Sequence, residues 1–344
     1  MFAEKMDAFV RDYCKTHNFS GALRVSVGGK TIYERGIGYA DIEKKLSFES
    51  DTLFSFYSMT KPFTAIGIML LVDKGLVSLD AHPSLYVPEA AGFDGRVTVR
   101  HLLQHISGLP DFEQDKEFAK KYAPGTPEKV RRHLELIADC PMMFAPGTAD
   151  FYANVNYTIL ALIIENVSGM QYADYMKKRV FEPLDAKSAY IDSYNAFTEG
   201  GAVGYEQAEG GLRPIHRGLD WMLGAGDMVG TLDDAYTLNL AVKNRLLLSE
   251  KSWELVLTPT PINDMGFGCR VTVWHGKKRI THNGGHLGFR TLHMHLPEDD
   301  FDIILLSNCG FGGARTDFSE AIYDAYYGAS GEAADNMKMD AGYI

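Results

Sequence analysis

Apolar residues recur at helical spacing over residues 1–17, where Phe2, Met6, Phe9, Val10 and Tyr13 fall on one face and predict an amphipathic first helix. The period then drops to two. Residues 22–27 and 31–35 alternate as strands do, and Gly28-Gly29 between them is a hairpin signal. A further β-leaning run, Phe54-Ser55-Phe56, leads through Ser58 into an apolar helical segment over 63–72, which Gly75 is placed to cap. From about 77 to 215 the pattern is mainly helical, clearest at 101–105, 127–138 and 157–167, with loops marked by Pro and Gly. Strand character returns at 268–273, 279–281, 291–295 and 301–306. Phe318, Ile322 and Tyr326 predict a closing helix over 317–326.

These elements predict an α+β fold, an antiparallel sheet assembled from both chain ends and flanked by helices. Residues 1–76 and 216–330 would form the sheet domain, 77–215 an inserted, mainly helical domain, and 331–344 a small polar tail.

Composition narrows the function classes. A chain of 344 residues that is 46% hydrophobic and 23% charged can bury a sizeable core. Its net charge of −11, with no concentrated basic run, argues against nucleic acid as the partner. No run of about 18 apolar residues offers a membrane span. The acidic start, Met1-Phe2-Ala3-Glu4, lacks the pattern of a signal peptide, so the expected location is cytoplasmic, or extracytoplasmic if a leader has been removed. Cys14, Cys140, Cys269 and Cys309 are widely scattered and read as buried free thiols rather than a metal or redox site. Nothing implies a cofactor or metal. His101 and His105, four apart, lack the adjacent Glu of a zinc helix and are expected to pack or anchor a loop. A small-molecule substrate and a monomer are the default expectations.

The chemistry gathers at three places. Ser58 and Lys61 are three apart where strand pattern turns to helix, so the amine shares a face with the hydroxyl and can draw off its proton when it is itself unprotonated. For the tetrad alone, a capping serine beside a solvated lysine is the plainer reading. Tyr152 and Asn154 precede an apolar helix. There a phenol can relay a proton and an amide can hold a substrate carbonyl, while a packed Tyr beside a capping Asn is the plainer reading. His282-Asn283-Gly284-Gly285 follows a strand signal, and glycine lets a substrate approach the backbone and its N–H groups closely. The alternative there is a simple Gly-rich turn.

In this order, Ser58-Met59-Thr60-Lys61, Tyr152-Ala153-Asn154 and His282-Asn283-Gly284 resemble the motifs of the serine hydrolases that include class C β-lactamases, D-alanyl-D-alanine carboxypeptidases, D-aminopeptidases and related esterases. His101-Leu102-Leu103-Gln104-His105 with Ile106-Ser107-Gly108-Leu109-Pro110, and Gly224-Ala225-Gly226-Asp227-Met228, are similar to phrases of the same family. The resemblance spans roughly 20–325. It implies a β-lactamase/transpeptidase-like fold with Ser58 as the acylated nucleophile and Lys61 as its proton acceptor or electrostatic partner. It also implies Tyr152 as general base or acid and Asn154 on the substrate amide. His282 would fill the third motif's polar position, and the N–H groups of Ser58 and Gly285 would form the oxyanion hole.

Histidine at 282 stands where β-lactamases of this class present lysine, and looks more like the peptidase and D-aminopeptidase branches. A neutral imidazole would give Tyr152 a weaker, more pH-dependent field. Asn283 and Gly285 lack the hydroxyls that grip a substrate carboxylate; Arg290 could supply that contact but is expected to be a surface arginine. His286-Leu287-Gly288 repeats the His-x-Gly form, and His282 is preferred because it follows the strand signal directly.

The expected function is a serine hydrolase that forms an acyl-enzyme on Ser58 and cleaves a D-amino-acid peptide or a small ester, with weak β-lactamase activity at most. The alternatives are a non-catalytic penicillin-binding-like protein and an acyltransferase using the same acyl-enzyme.

Overall fold

A computed structural model describes residues 2–17, 19–111, 127–192, 201–209, 211–215, 222–310 and 314–327. The expected tail after residue 328 lies outside them. Six strands form an antiparallel sheet in the order β2-β1-β11-β10-β9-β8. They are β1 (Gly21–Val27), β2 (Lys30–Ile37), β8 (Arg270–Trp274), β9 (Lys277–His286), β10 (Phe289–Leu296) and β11 (Phe301–Ser307). The sheet thus joins both chain ends, and β1 beside β11 is the seam. Gly28 and Gly29, both at positive φ, make the tight turn from β1 to β2.

Period-two alternation divides two cores across this sheet. On β11, Phe301, Ile303 and Leu305 pack with Met6 and Val10 of α1 (Phe2–His17) and with Phe318 and Ile322 of the closing helix Ala314–Tyr327. Ile304 and Leu306 face the larger core on the other side. That core is built on α2 (Lys61–Asp73), whose residues from Lys61 to Met69 are all buried. An apolar helix without a polar face is stable only when enclosed. It is enclosed by Asn154–Ser168 and neighbouring helices, and Gly67 permits the approach, since a Cβ there would lie 3.0 Å from Ile164 Cδ1.

The region 77–215 carries helices at Val99–Leu103, Pro127–Ala138, Asn154–Ser168 and Tyr172–Met176. It also carries strands that the sequence pattern did not suggest: β4 (Tyr190–Ile191) and the hairpin of β5 (Gly204–Ala208) with β6 (Gly211–Ile215). With β3 (Phe54–Ser55) and β7 (Met228–Gly230), β4 forms a small second sheet ordered β3-β7-β4. This sheet feeds the chain into Ser58. Of the thiols, Cys269 and Cys309 are buried, whereas Cys14 is half-buried and Cys140, just past the end of helix Pro127–Ala138, is exposed.

Candidate active site

Ser58 lies in a single 3₁₀ turn, Tyr57–Thr60, between β3 and α2. Neither the turn nor α2 takes a side-chain cap from it, so the capping reading does not hold. Tyr57 is buried at φ 50°, a left-handed conformation costly for a side chain, and it holds the sharp bend that leaves Ser58 half-exposed. Lys61 is fully buried. Its Nζ donates to Asn154 Oδ1 and the Ala225 carbonyl, each at 2.8 Å, and lies 3.1 Å from Ser58 Oγ. Asn154 is therefore not a helix cap; it opens helix Asn154–Ser168 and turns its side chain to the lysine.

Ala225 is a site residue that the sequence reading missed, because it acts through a carbonyl. The only hint is its setting in Gly224-Ala225-Gly226-Asp227. A Cβ on Gly224 would meet Ala161 Cβ at 2.7 Å, and the Asp227 carboxylate accepts from the Gly224 N–H at 3.1 Å, which fixes the loop.

Tyr152 is the exposed member of the set, and its hydroxyl lies 3.3 Å from His282 Nε2. Lys61 Nζ stands 4.7 Å from the phenol's ring centre. His282 lies inside the ten-residue β9, so the stretch is a strand edge and not the simple Gly-rich turn. Burial first, and then the nearby Lys61, hold its imidazole well below the ordinary histidine range. The ring is thus neutral through the neutral pH range, and any pH dependence it lends Tyr152 falls on the acid side.

Gly284 sits where β9 crosses the nucleophile turn: a Cβ would come within 2.1 Å of the Phe56 carbonyl and 2.4 Å of Thr291 Oγ1. Thr291 Oγ1 itself donates to that carbonyl at 2.8 Å. β8 pairs with residues 277–281 of β9, so its ladder ends short of residues 282–286. Gly285, past that end, is exposed. His286 ends the strand at the turn to β10, and its ring contacts Tyr57 rather than Tyr152. A cleft of about 640 Å³ runs from Gly285 between this turn and the β5–β6 hairpin, lined by Glu206, Arg213 and Arg290 among others. Arg290 is half-buried there, not a surface residue, and donates to the Phe289 carbonyl at 2.6 Å.

A family model described as Beta-lactamase matches residues 4–326. The chain belongs to that family. Beta-lactamase family relatives include a penicillin-binding protein of Bacillus subtilis, 29% identical over 338 residues that cover 90% of this chain and 72% of the relative. The D-aminopeptidase of Gluconobacter oxydans is 25% identical over 301 residues, 84% of this chain but only 55% of that protein. Among solved structures, the D-amino acid amidase of Ochrobactrum anthropi SV3 superposes with a TM-score of 0.78 at 25% identity, covering 95% of this chain and 97% of the amidase. The chain is accordingly a member of the β-lactamase-like serine hydrolase superfamily. Among the described residues no cluster of three His, Cys, Asp or Glu side chains is placed to hold a metal, and no helix is long and apolar enough to cross a membrane.

The buried histidines of this family member carry a stability prediction. Burial lowers His105 and His282 well below the usual value and pushes His293 down to about 3. Unfolded, all three take up protons near pH 6.5, so the unfolded state binds more protons and stability falls as pH drops below 6.5. Between pH 7 and 5 the expected loss is about 2 kcal/mol for each histidine that stays neutral. Urea unfolding at both pH values checks it, and a midpoint that does not move contradicts it.

Proposed function

We propose that the protein is a serine hydrolase that cleaves amides of D-amino acids, or small esters, through an acyl-enzyme on Ser58. The observation that carries this reading is the enclosed Lys61 amine, with two directions committed to the carbonyl oxygens of Asn154 and Ala225 and the third facing Ser58 Oγ at 3.1 Å. A neutral amine so held presents its lone pair to the hydroxyl.

In this scheme Ser58 Oγ attacks the substrate carbonyl and its proton passes to Lys61. The oxyanion that forms is held by the N–H groups of Ser58 and Gly285, the latter on β9 past the end of the β8 ladder. Tyr152, whose ring face lies against the same amine, gives its own proton to the leaving nitrogen or oxygen and becomes a phenolate, and the C–N or C–O bond breaks. Water then attacks the ester and gives its proton to the Tyr152 phenolate, while Lys61 returns its proton to Ser58 Oγ as the acyl–oxygen bond breaks. A neutral His282 at 3.3 Å orients the phenol without placing a fixed cation beside it. A residue role in each step is also what the family resemblance implies. The D-amino-acid preference is supported by the relatives named for such substrates.

The test is a panel of D- and L-alanine p-nitroanilides, p-nitrophenyl acetate and a chromogenic cephalosporin. We expect hydrolysis of the ester, at least tenfold preference for the D-anilide over the L-anilide, and slow turnover of the cephalosporin at most. An L-preference, or a cephalosporin cleaved faster than the other substrates, contradicts the assignment.

A further inference from the structure

His105 has no task in that scheme, yet it is built into the floor of the site. It is 1% exposed, and its φ of 57° is left-handed. Side chains other than Gly and Asn adopt that conformation at a cost of about 1–2 kcal/mol, so an ordered, buried example asks for a reason.

The reason is visible on both sides of Tyr152. The Phe151 N–H donates to the His105 carbonyl at 3.0 Å, and the Ala153 N–H donates to His105 Nδ1 at 3.1 Å. Both chain neighbours of the phenol are therefore held by one residue. The imidazole also lies under the phenol itself, with ring centres 4.2 Å apart and planes inclined by 23°.

The proton on this ring can be placed. A backbone N–H can only donate, so Nδ1 is bare and the ring hydrogen is on Nε2. Asn156 Nδ2 approaches the same Nδ1 at 3.3 Å, while Asn156 Oδ1 accepts from Ser107 Oγ at 2.7 Å. Protonating Nδ1 would set an N–H against two donors and add charge near Lys61. Burial, Lys61 and Arg270 all disfavour the imidazolium.

We propose that His105 is a positioning residue for the reaction: as a neutral Nε2–H imidazole it fixes the Tyr152 ring against the Lys61 amine with its hydroxyl directed at His282. The proposal rests on the reading in which Tyr152 moves a proton.

The test compares wild type with His105→Asn and His105→Gly. Both accept the left-handed backbone, and the Asn carboxamide can still take the Ala153 N–H, but neither supplies a ring. Active sites are counted by fluorophosphonate labelling of Ser58, and turnover of p-nitrophenyl acetate is expressed per labelled site. The expected result is kcat per site lowered about 10- to 100-fold with KM changed less than about threefold, and a displaced kcat–pH profile. Turnover per site within about twofold of wild type in both variants overturns the proposal, as does a loss confined to the number of labelled sites. Should neither variant fold, ¹⁵N NMR of the wild-type histidines decides: His105 is expected neutral and protonated at Nε2 from pH 5 to 8, and an Nδ1–H or imidazolium there overturns it. Undiminished turnover in Ser58→Ala would instead sink the acyl-enzyme reading itself.

Discussion

Replacing Lys61 by alanine is expected to lower kcat/KM by about 10³- to 10⁴-fold, the range for removing a group that both accepts and returns a proton. The structure ties this effect to one atom. Nζ is the atom that meets Ser58 Oγ, Asn154 Oδ1 and the Ala225 carbonyl. Truncation leaves those carbonyl oxygens buried without their donor, at about 1–3 kcal/mol each, partly offset because a desolvated amine is no longer held in the core. Activity should therefore collapse while the protein stays folded, with the melting temperature lowered by only a few degrees. Lys61→Arg sharpens the point, since a guanidinium keeps the charge and cannot give up its proton. It is expected to be as inactive as the alanine variant. Steady-state kinetics with p-nitrophenyl acetate checks both, and an arginine variant that keeps more than about a tenth of wild-type activity would show Lys61 to be only an electrostatic partner.

Much of this site was legible in the sequence because its side chains announce their chemistry at short range. A serine three residues before a lysine at a strand-to-helix change allows the Ser58–Lys61 contact, which the two later motifs single out from a mere cap, and Gly28-Gly29 gives the β1–β2 turn. What could not be read lies where tertiary contact overrides local preference. Gly284-Gly285 weakens strand propensity, so β9 seemed to stop at residue 281. The fold keeps the strand running to His286, because only a glycine fits against the Phe56 carbonyl at that crossing. For Asn154 the sequence offers a substrate-amide ligand or a helix cap, but not the contact with Lys61, which is 93 positions away in the chain. The Ala225 carbonyl has no side-chain signature at all. Arg290 and Cys140 were misjudged in opposite directions, since average burial tendencies say nothing about a particular cleft wall or helix end. The strands β4, β5 and β6 are short, and two or five residues hold too little alternation to stand out within a helical stretch.

Ser58→Ala is expected to have the largest effect. Without Oγ no covalent intermediate can form, and turnover should fall by about 10⁴-fold or more, to whatever the oxyanion donors achieve with water alone. Lys61, Asn154 and Ala225 keep their mutual contacts in this variant, since the lysine retains both carbonyl acceptors, so folding should be unaffected.

The most direct test of the central claim is intact-protein mass spectrometry after incubation with a fluorescent penicillin, a fluorophosphonate and p-nitrophenyl acetate, wild type beside Ser58→Ala. The expected result is a single covalent adduct with at least one of these reagents that maps to Ser58 and is missing from the mutant. A folded wild-type protein that none of them labels, or an adduct that persists in Ser58→Ala, would contradict it.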